Sequence, residues 1–379
     1  MRQILLKNKK IFETKLTITT NCILRCDYCF VKKPKKLEIM DYKTAKAAID
    51  FFLKFGKKDK ILKIYGGEPL LNFGLLKKII PYTIKNIPLN NGLTLSLCTN
   101  AVLLRPEHID FFKKHKFQLA ISLDGKKITH DRFRKFRDGK GSFDIVVRNL
   151  AFLFQNIKKE NIAANIGIVP SEVRRLFDNY KYIISLGFDT VNLEPIYGFE
   201  IWDEKNQKEF EKQMKKIIDF ILKGIHKKQF LFLTTINREL KYKTLSRLNK
   251  GTCLFDQFLE IYPKGDMGFS SFFFNLPEPQ RKRYIIGNVA KQEIRPEYSS
   301  CRYSKRNCQN CLTDYFNIFD KSQSSEIVRR RNFYSENACY EKYATMVAKI
   351  KNNPSFCEKI PFKETHNQQE YQVCIEQFR

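Results

Sequence analysis

Thr20-Asn21-Cys22-Ile23-Leu24-Arg25-Cys26-Asp27-Tyr28-Cys29-Phe30 carries three cysteines in CxxxCxxC spacing, directly after an alternating segment, Lys15-Leu16-Thr17-Ile18-Thr19. Period-two alternation marks a half-buried strand, so the cysteines sit in the loop that follows it. Three thiolates in one loop can hold three irons of a cubane 4Fe-4S cluster, whereas a closed structural cluster takes four cysteines. The fourth iron is then open to a reactant. The competing reading is half of a zinc site, because CxxC pairs are common zinc ligands. Zinc sites usually show a second ligand pair at a set distance. Here the next cysteine, Cys98, lies far downstream inside an apolar strand-like run.

At 379 residues the chain is long enough for a sizeable core and, at about 100–200 residues per domain, for two units. A 43% hydrophobic content argues against disorder. No run approaches the ~18 apolar residues of a membrane span, and the basic start Met1-Arg2-Gln3 leads into only Ile4-Leu5-Leu6 before Lys7. The expected location is therefore the cytoplasm, without a signal peptide. Eleven cysteines in a cytosolic chain point to metal or redox chemistry, because thiols there are kept reduced. A formal charge of +29, from 69 Lys plus Arg against 40 Asp plus Glu, would attract nucleic acid, anionic surfaces or acidic peptides. The lysines are spread over many helical stretches rather than gathered in one arm, so they are read as a solvated lysine-rich surface.

From Lys15 to about Pro195 short β-rich runs alternate with helical stretches, which reads as successive βαβ units around a parallel sheet. The strand candidates are Leu16 to Thr20, Ile61 to Tyr65, Leu93 to Cys98, Gln118 to Leu123, Ala163 to Val169 and Thr190 to Glu194. Asp41 can cap a helix carrying Ala45, Ala48, Ile49, Phe52 and Leu53 at helical spacing. Further helices are expected near Asn72 to Asn86, Pro106 to His115, Phe143 to Asn156 and Ser171 to Leu186. A charged helix from about Asp203 to Lys227, with Phe210, Met214, Ile217, Ile218 and Ile221 on one face, reads as a bridge rather than as part of another strand unit. Beyond Gly251 cysteines, glycines and turn residues become frequent. The expected organisation is 12–200 as the α/β domain, 201–250 as a helical bridge, 251–350 as a small metal-stapled domain and 351–379 as a polar tail.

Gly66-Gly67-Glu68-Pro69 follows the second strand candidate directly, where two glycines let the backbone approach a ligand and Glu68 offers an acceptor for an amine or a ribose hydroxyl. By itself this is also an ordinary strand-to-helix turn. Thr99-Asn100 follows the third strand, Ser122-Leu123-Asp124-Gly125 the fourth, and then comes His130-Asp131-Arg132-Phe133-Arg134. A turn histidine hydrogen-bonded to the backbone is the reading for His130, ahead of a general base. No GxxxxGK[ST] or HExxH occurs, so nucleotide hydrolysis and metalloprotease chemistry have no support.

As an ordered set these motifs resemble the radical S-adenosylmethionine (SAM) enzymes, and in particular the "SLDG … HDxxR" subfamily whose members end in SPASM or twitch domains. The resemblance covers about residues 12–350. It implies an α/β fold, a partial (β/α)6 barrel followed by a small cysteine-rich SPASM/twitch-like domain, with SAM at the carboxyl ends of the strands. It implies that Cys22, Cys26 and Cys29 hold the cluster, that Tyr28 fits the aromatic position before the third cysteine, and that Gly66, Gly67 and Glu68 line the SAM amino group. Ser122 and Arg134 would hold the SAM carboxylate, a guanidinium matching a carboxylate bidentately.

The last third supplies Cys253, Cys301, Cys308, Cys311 and Cys339, with Pro263-Lys264-Gly265-Asp266 and Ile286-Gly287-Asn288-Val289 between the first two. This resembles a SPASM domain but departs from it at Ser270, which stands where the next cysteine would be. Five cysteines cannot supply two 4Fe-4S clusters at four ligands each. One auxiliary cluster is therefore expected, on Cys301, Cys308 and Cys311 plus either Cys339 or Cys253, with structural zinc on the same thiolates as the competitor. Cys98, Cys357 and Cys374 are read as core or incidental thiols.

The implied activity is reductive cleavage of SAM to a 5′-deoxyadenosyl radical that abstracts hydrogen from a peptide or protein substrate, in the manner of a peptide maturase that crosslinks or oxidises its target. A small molecule, a tetrapyrrole or RNA is the alternative substrate, and a zinc-containing nucleic-acid-binding protein or a cluster-bearing electron carrier the alternative class. The implied partners are the peptide substrate, a reductant such as ferredoxin or flavodoxin and, because Cys22 lies so near the amino terminus, either a separate leader-binding protein or recognition by the basic surface.

Overall fold

The computed structural model describes residues 13–32, 37–54, 59–89, 91–196, 199–226, 231–233, 258–268 and 281–294. Its first strands and helices alternate as β1 (Glu13–Thr19), α1 (Tyr42–Lys54), β2 (Asp59–Gly66), α2 (Phe73–Asn86), β3 (Gly92–Thr99), α3 (Pro106–Lys114) and β4 (Gln118–Ser122). There follow α4 (Lys127–Phe133), α5 (Phe143–Asn156), β5 (Ile162–Ile168), α6 (Leu176–Ser185), β6 (Thr190–Pro195), α7 (Glu204–His226) and β7 (Phe232–Leu233). Four short strands close the described part: β8 (Phe258–Ile261), β9 (Asp266–Gly268), β10 (Gly287–Asn288) and β11 (Glu293–Ile294). The chain divides into two compact units, one of 1–120, 135–140 and 251–305 and one of 121–134, 141–250 and 306–379.

In the first unit β1, β2 and β3 are parallel, with Leu16 opposite Ile64 and Ile64 opposite Leu97. These three side chains are fully buried and form one apolar row across the sheet, each burial contributing roughly 1.5–3 kcal/mol. Asp41 caps α1, its Oδ1 accepting the Thr44 N–H at 2.7 Å. Beyond that cap, Ala45, Ala48, Ile49 and Phe52 recur at helical spacing and are buried, and α1 packs against α2.

The opposite face of β1 is polar. Lys15 lies opposite Lys63 on β2 and opposite Glu260 on β8, which pairs parallel to β1 on its other side. Glu260 is fully buried and forms an ion pair with Lys15, as a buried carboxylate requires. The expected hairpin at Pro263–Asp266 is present: β9 returns antiparallel to β8, with the Gly265 N–H donating to Tyr262 O at 2.8 Å. Gly265 has φ +85°, and a Cβ there would stand 2.8 Å from the Val289 side chain. Gly287 and Asn288 pair with β9 in turn, so the described part of the carboxyl third extends the sheet that begins at β1.

In the second unit β5, β6 and β7 are parallel, with Asn165 opposite Asn192 and Thr190 opposite Phe232. Helix α7 joins β6 to β7 and is therefore the crossover of a βαβ unit, not a bridge outside the strand repeat. Its Phe210, Met214, Ile217, Ile218 and Ile221 are buried, and it packs against α6. A two-residue strand carries no period-two signal, which is why the helix within 201–250 read as a bridge. Helix α4 had no helical signature either, being only seven residues long.

The α/β expectation holds: the six strand candidates coincide with β1 to β6. Among the described residues no helix is long and apolar enough to cross a membrane. Ser270, Cys253, Cys301, Cys308, Cys311, Cys339, Cys357 and Cys374 lie outside the described residues.

Candidate functional site

The cysteine loop of the first unit grows from the carboxyl end of β1. Thr20 holds its base, the Thr20 N–H donating to Glu38 O at 2.9 Å and the Glu38 N–H to Thr20 Oγ1 at 2.9 Å. Further out, Leu24 forms an antiparallel bridge with Phe136, and the Arg25 N–H donates to Lys135 O at 2.6 Å. Leu24 is buried. Between these fixed points lie three cysteines, Cys26 buried and Cys22 and Cys29 half-buried, with Tyr28 half-buried beside them. The Cys29 N–H donates to Cys26 O at 3.2 Å, so the CxxC segment is a tight turn.

The Gly66–Glu68 turn docks on the same loop by backbone alone. The Gly67 N–H donates to Thr19 O and the Glu68 N–H to Asn21 O, both at 2.8 Å. A Cβ on Gly66, whose φ is +153°, would stand 2.3 Å from Thr19 O, and one on Gly67 2.3 Å from Asn21 O. The glycines are thus required by the close approach of two strand ends, a backbone contact within the chain.

Glu68 is fully buried. Its Oε1 accepts from the Thr99 hydroxyl at 2.7 Å and the Leu70 N–H at 3.1 Å, and its Oε2 from the Asn100 N–H at 2.8 Å. Burial pushes its carboxyl up to about 7 against the pull of these three donors. The Asn100 side chain reaches on to the loop, its Nδ2 donating to Cys22 Sγ at 3.5 Å, and the Leu24 N–H donates to the same sulfur at 3.4 Å. Burial, then the Glu68 carboxylate, push the Cys22 thiol up to about 12. Metal ligation takes the thiolate form, so binding through this sulfur would release that proton.

In the second unit the ends of β4 and α4 meet at Asp124. Arg134 Nε donates to Asp124 Oδ2 at 2.8 Å and its Nη2 to Oδ1 at 3.0 Å, while the Gly167 N–H donates to Oδ1 at 2.9 Å. Asp124 is buried, and Ser122, two residues before it, is half-buried at the end of β4. The predicted residue Arg134 is therefore engaged by Asp124, a partner the sequence reading did not single out. His130 is fully buried. Its Nδ1 accepts the Asp124 N–H at 3.4 Å, and its Nε2 lies 2.9 Å from Ser142 Oγ, whose hydroxyl donates to Arg134 O. Those partners fix the neutral Nε2–H tautomer. Burial holds its pKa down to about 4, and a ring so used at both nitrogens serves structure, not proton transfer.

The structure thus gathers Cys22, Cys26, Cys29, Gly66, Gly67 and Glu68 in the first unit, together with Thr99 and Asn100, and sets Ser122 and Arg134 around Asp124 in the second. Thr99 and Asn100 were visible as a strand-end motif, but nothing in the sequence assigned them their partners. The donor set fits a cubane cluster. Three thiols on one clamped loop offer one ligand to each of three irons. Among the described residues no three His, Cys, Asp or Glu side chains are gathered closely enough to hold a single metal ion.

The sequence pattern of the Radical SAM superfamily matches residues 16–180, from β1 into α6. The chain belongs to the radical SAM superfamily. Its cofactors are accordingly a 4Fe-4S cluster and SAM. This radical SAM protein is 30% identical over 253 residues to an uncharacterised protein of Methanocaldococcus jannaschii, a match covering 65% of this chain and 82% of that one. It is 26% identical to a cysteine-type anaerobic sulfatase-maturating enzyme of Clostridium novyi over 54% of this chain and 58% of that enzyme. It is also 26% identical to a serine-type anaerobic sulfatase-maturating enzyme of Bacteroides thetaiotaomicron, over 46% and 44%. The match thus spans about half the length of these two maturating enzymes. Among solved structures its fold is like that of anSMEcpe with bound AdoMet, at a TM-score of 0.63, 21% identity and coverage of 76% and 79%. It is also like Streptococcus suis SuiB bound to the precursor peptide SuiA, at 0.56, 12%, 80% and 68%.

Proposed function

We propose that this protein cleaves SAM reductively and abstracts hydrogen from a peptide or protein substrate, with Cys22, Cys26 and Cys29 as the cluster ligands. The observation that carries the reading is the anchored loop of three cysteines at the end of β1, docked on the Gly66–Glu68 turn. When bound, cluster and SAM together supply a 5′-deoxyadenosyl radical, and the hard chemistry is theirs. The chain's own residues position and exclude. The loop is held at its base by Glu38 and further out by Lys135. Glu68 joins the loop to the end of β3, and Asp124 orients Arg134, the residue proposed to receive the SAM carboxylate with Ser122. Tyr28 completes the loop beside Cys29.

A peptide or protein substrate is supported by the relatives, which are named for maturation of sulfatases, and by the likeness of fold to SuiB with its precursor peptide. A reductant such as ferredoxin or flavodoxin and a separate leader-binding protein belong to the same proposal, as does one auxiliary cluster on Cys301, Cys308, Cys311 and either Cys339 or Cys253. Anaerobically reconstituted protein should convert SAM to 5′-deoxyadenosine under a strong reductant. Replacing Cys22, Cys26 and Cys29 together by alanine should abolish the conversion, and survival of cleavage in that variant would sink the assignment.

A further inference from the structure

Asn100 is 7% exposed and its amide is fixed at every polar atom the argument needs. Its Oδ1 accepts the Val102 N–H at 3.0 Å, closing an Asx turn, and its backbone N–H is held by Glu68 Oε2 at 2.8 Å. With Oδ1 so used, the Nδ2 donor is aimed in one direction, at Cys22 Sγ 3.5 Å away. The turn that achieves this is costly: Ala101, fully buried, has φ +62°, the left-handed region that a residue with a Cβ seldom occupies. The Leu24 N–H donates to the same sulfur, so Cys22 receives both a backbone and a side-chain hydrogen bond, the second from a strand end 78 residues away.

We propose that Asn100 is a positioning residue that raises the reduction potential of the cluster by donating its amide to the Cys22 sulfur, an inference that rests on Cys22 being a cluster ligand. Reduction adds one electron and takes the cluster from the 2+ to the 1+ level. A donor at a ligating sulfur draws charge from the thiolate and favours the more negative, reduced level, hydrogen bonds to sulfur being one of the protein's controls on such potentials. Substrate and SAM need not touch Asn100 for this effect.

The test is an anaerobic redox titration of full-length reconstituted protein with mediators and dithionite, following the EPR signal of the reduced cluster. Asn100→Ser keeps a short oxygen for the Val102 turn but cannot reach Cys22, and Asn100→Leu removes donor and acceptor at similar size. At a fixed solution potential both should show a reduced-to-oxidised ratio about tenfold lower, equivalent to roughly 59 mV for a one-electron couple. Asn100→Asp, which puts a carboxylate oxygen where the donor was, should fall further. An unchanged midpoint in a serine or leucine variant with full iron content would overturn the inference and leave the ligand assignment intact.

A second measurement does not depend on the variants taking up iron. Wild-type protein labelled with nitrogen-15 in the asparagine side chains should show a nitrogen-15 hyperfine coupling to the reduced cluster. Its absence would overturn the inference. A Cys22→Ala variant whose EPR signal and iron content match those of the wild type would instead overturn the underlying assignment of Cys22, and the inference with it.

Discussion

Arg134 sets its guanidinium against the Asp124 carboxylate at two points, Nε to Oδ2 at 2.8 Å and Nη2 to Oδ1 at 3.0 Å. The side chains are 11% and 1% exposed, so this is a buried ion pair, and the Gly167 N–H adds a third bond to it. Removing one partner takes from the other the counter-charge it is paired with in a buried site. Asp124→Ala should therefore lower the unfolding free energy by about 3–5 kcal/mol, measured by urea titration of the metal-free protein. Arg134→Ala should in addition weaken SAM binding by about 1.5–3 kcal/mol, the usual worth of a hydrogen bond to a charged group. Calorimetry showing unchanged SAM affinity would restrict Arg134 to the ion pair.

His130 makes stability depend on pH. Its pKa is depressed from 6.5 to about 4 by burial. Above pH 6.5 neither the folded nor the unfolded chain carries the extra proton, and its contribution is fully present. As pH falls from about 6.5 to about 4 only the unfolded chain takes up the proton, and stability is lost by up to about 1.36 kcal/mol per pH unit. Below about 4 the loss stops growing. Unfolding curves of the wild type and of His130→Gln across this window should differ in slope by close to one proton, and parallel curves would contradict the buried neutral ring.

Glu68 accepts three hydrogen bonds, and a carboxamide cannot accept them all. In Glu68→Gln one amide hydrogen must face the N–H of Leu70 or Asn100 or displace the Thr99 hydroxyl, which should cost roughly 1–3 kcal/mol. Glu68→Ala leaves all three donors unanswered and should cost more. The check is the order of denaturation midpoints: wild type above glutamine above alanine.

Gly67→Ala should disturb the cysteine loop without touching a cysteine. The added Cβ would stand 2.3 Å from Asn21 O and 2.7 Å from Thr20 O, both backbone atoms, so the loop base must move. Overpacking of this kind costs about 1–3 kcal/mol. Iron bound per chain after reconstitution should fall relative to Gly74→Ala, where nothing lies within 4 Å of the new Cβ.

Iron counting tests the auxiliary site. With one cluster in each site the protein should carry about eight irons, and the Cys22/Cys26/Cys29→Ala variant about four. Adding Cys308→Ala and Cys311→Ala should remove those four. Zinc without iron in the triple variant would make the carboxyl-terminal site a structural staple.

The sequence by itself determined the order of the strands β1 to β6 and of the longer helices between them, and the placing of the Gly66–Pro69, Thr99–Asn100 and Ser122–Gly125 motifs at strand ends. Period-two and period-3.6 patterns are local, and so is the CxxxCxxC spacing, so both can be read along the chain. The family followed from those motifs taken in order. Tertiary structure alone decided what the motif residues touch: Glu68 on Thr99 and Asn100, 31 and 32 residues away, Asn100 on Cys22, and Asp124 on Arg134. It also decided that β8 pairs parallel to β1 and that α7 crosses over to a two-residue strand. Such contacts are selected by burial, where a carboxylate or amide withdrawn from water must find a partner wherever the packed chain brings one. Spacing along the sequence carries no record of that choice.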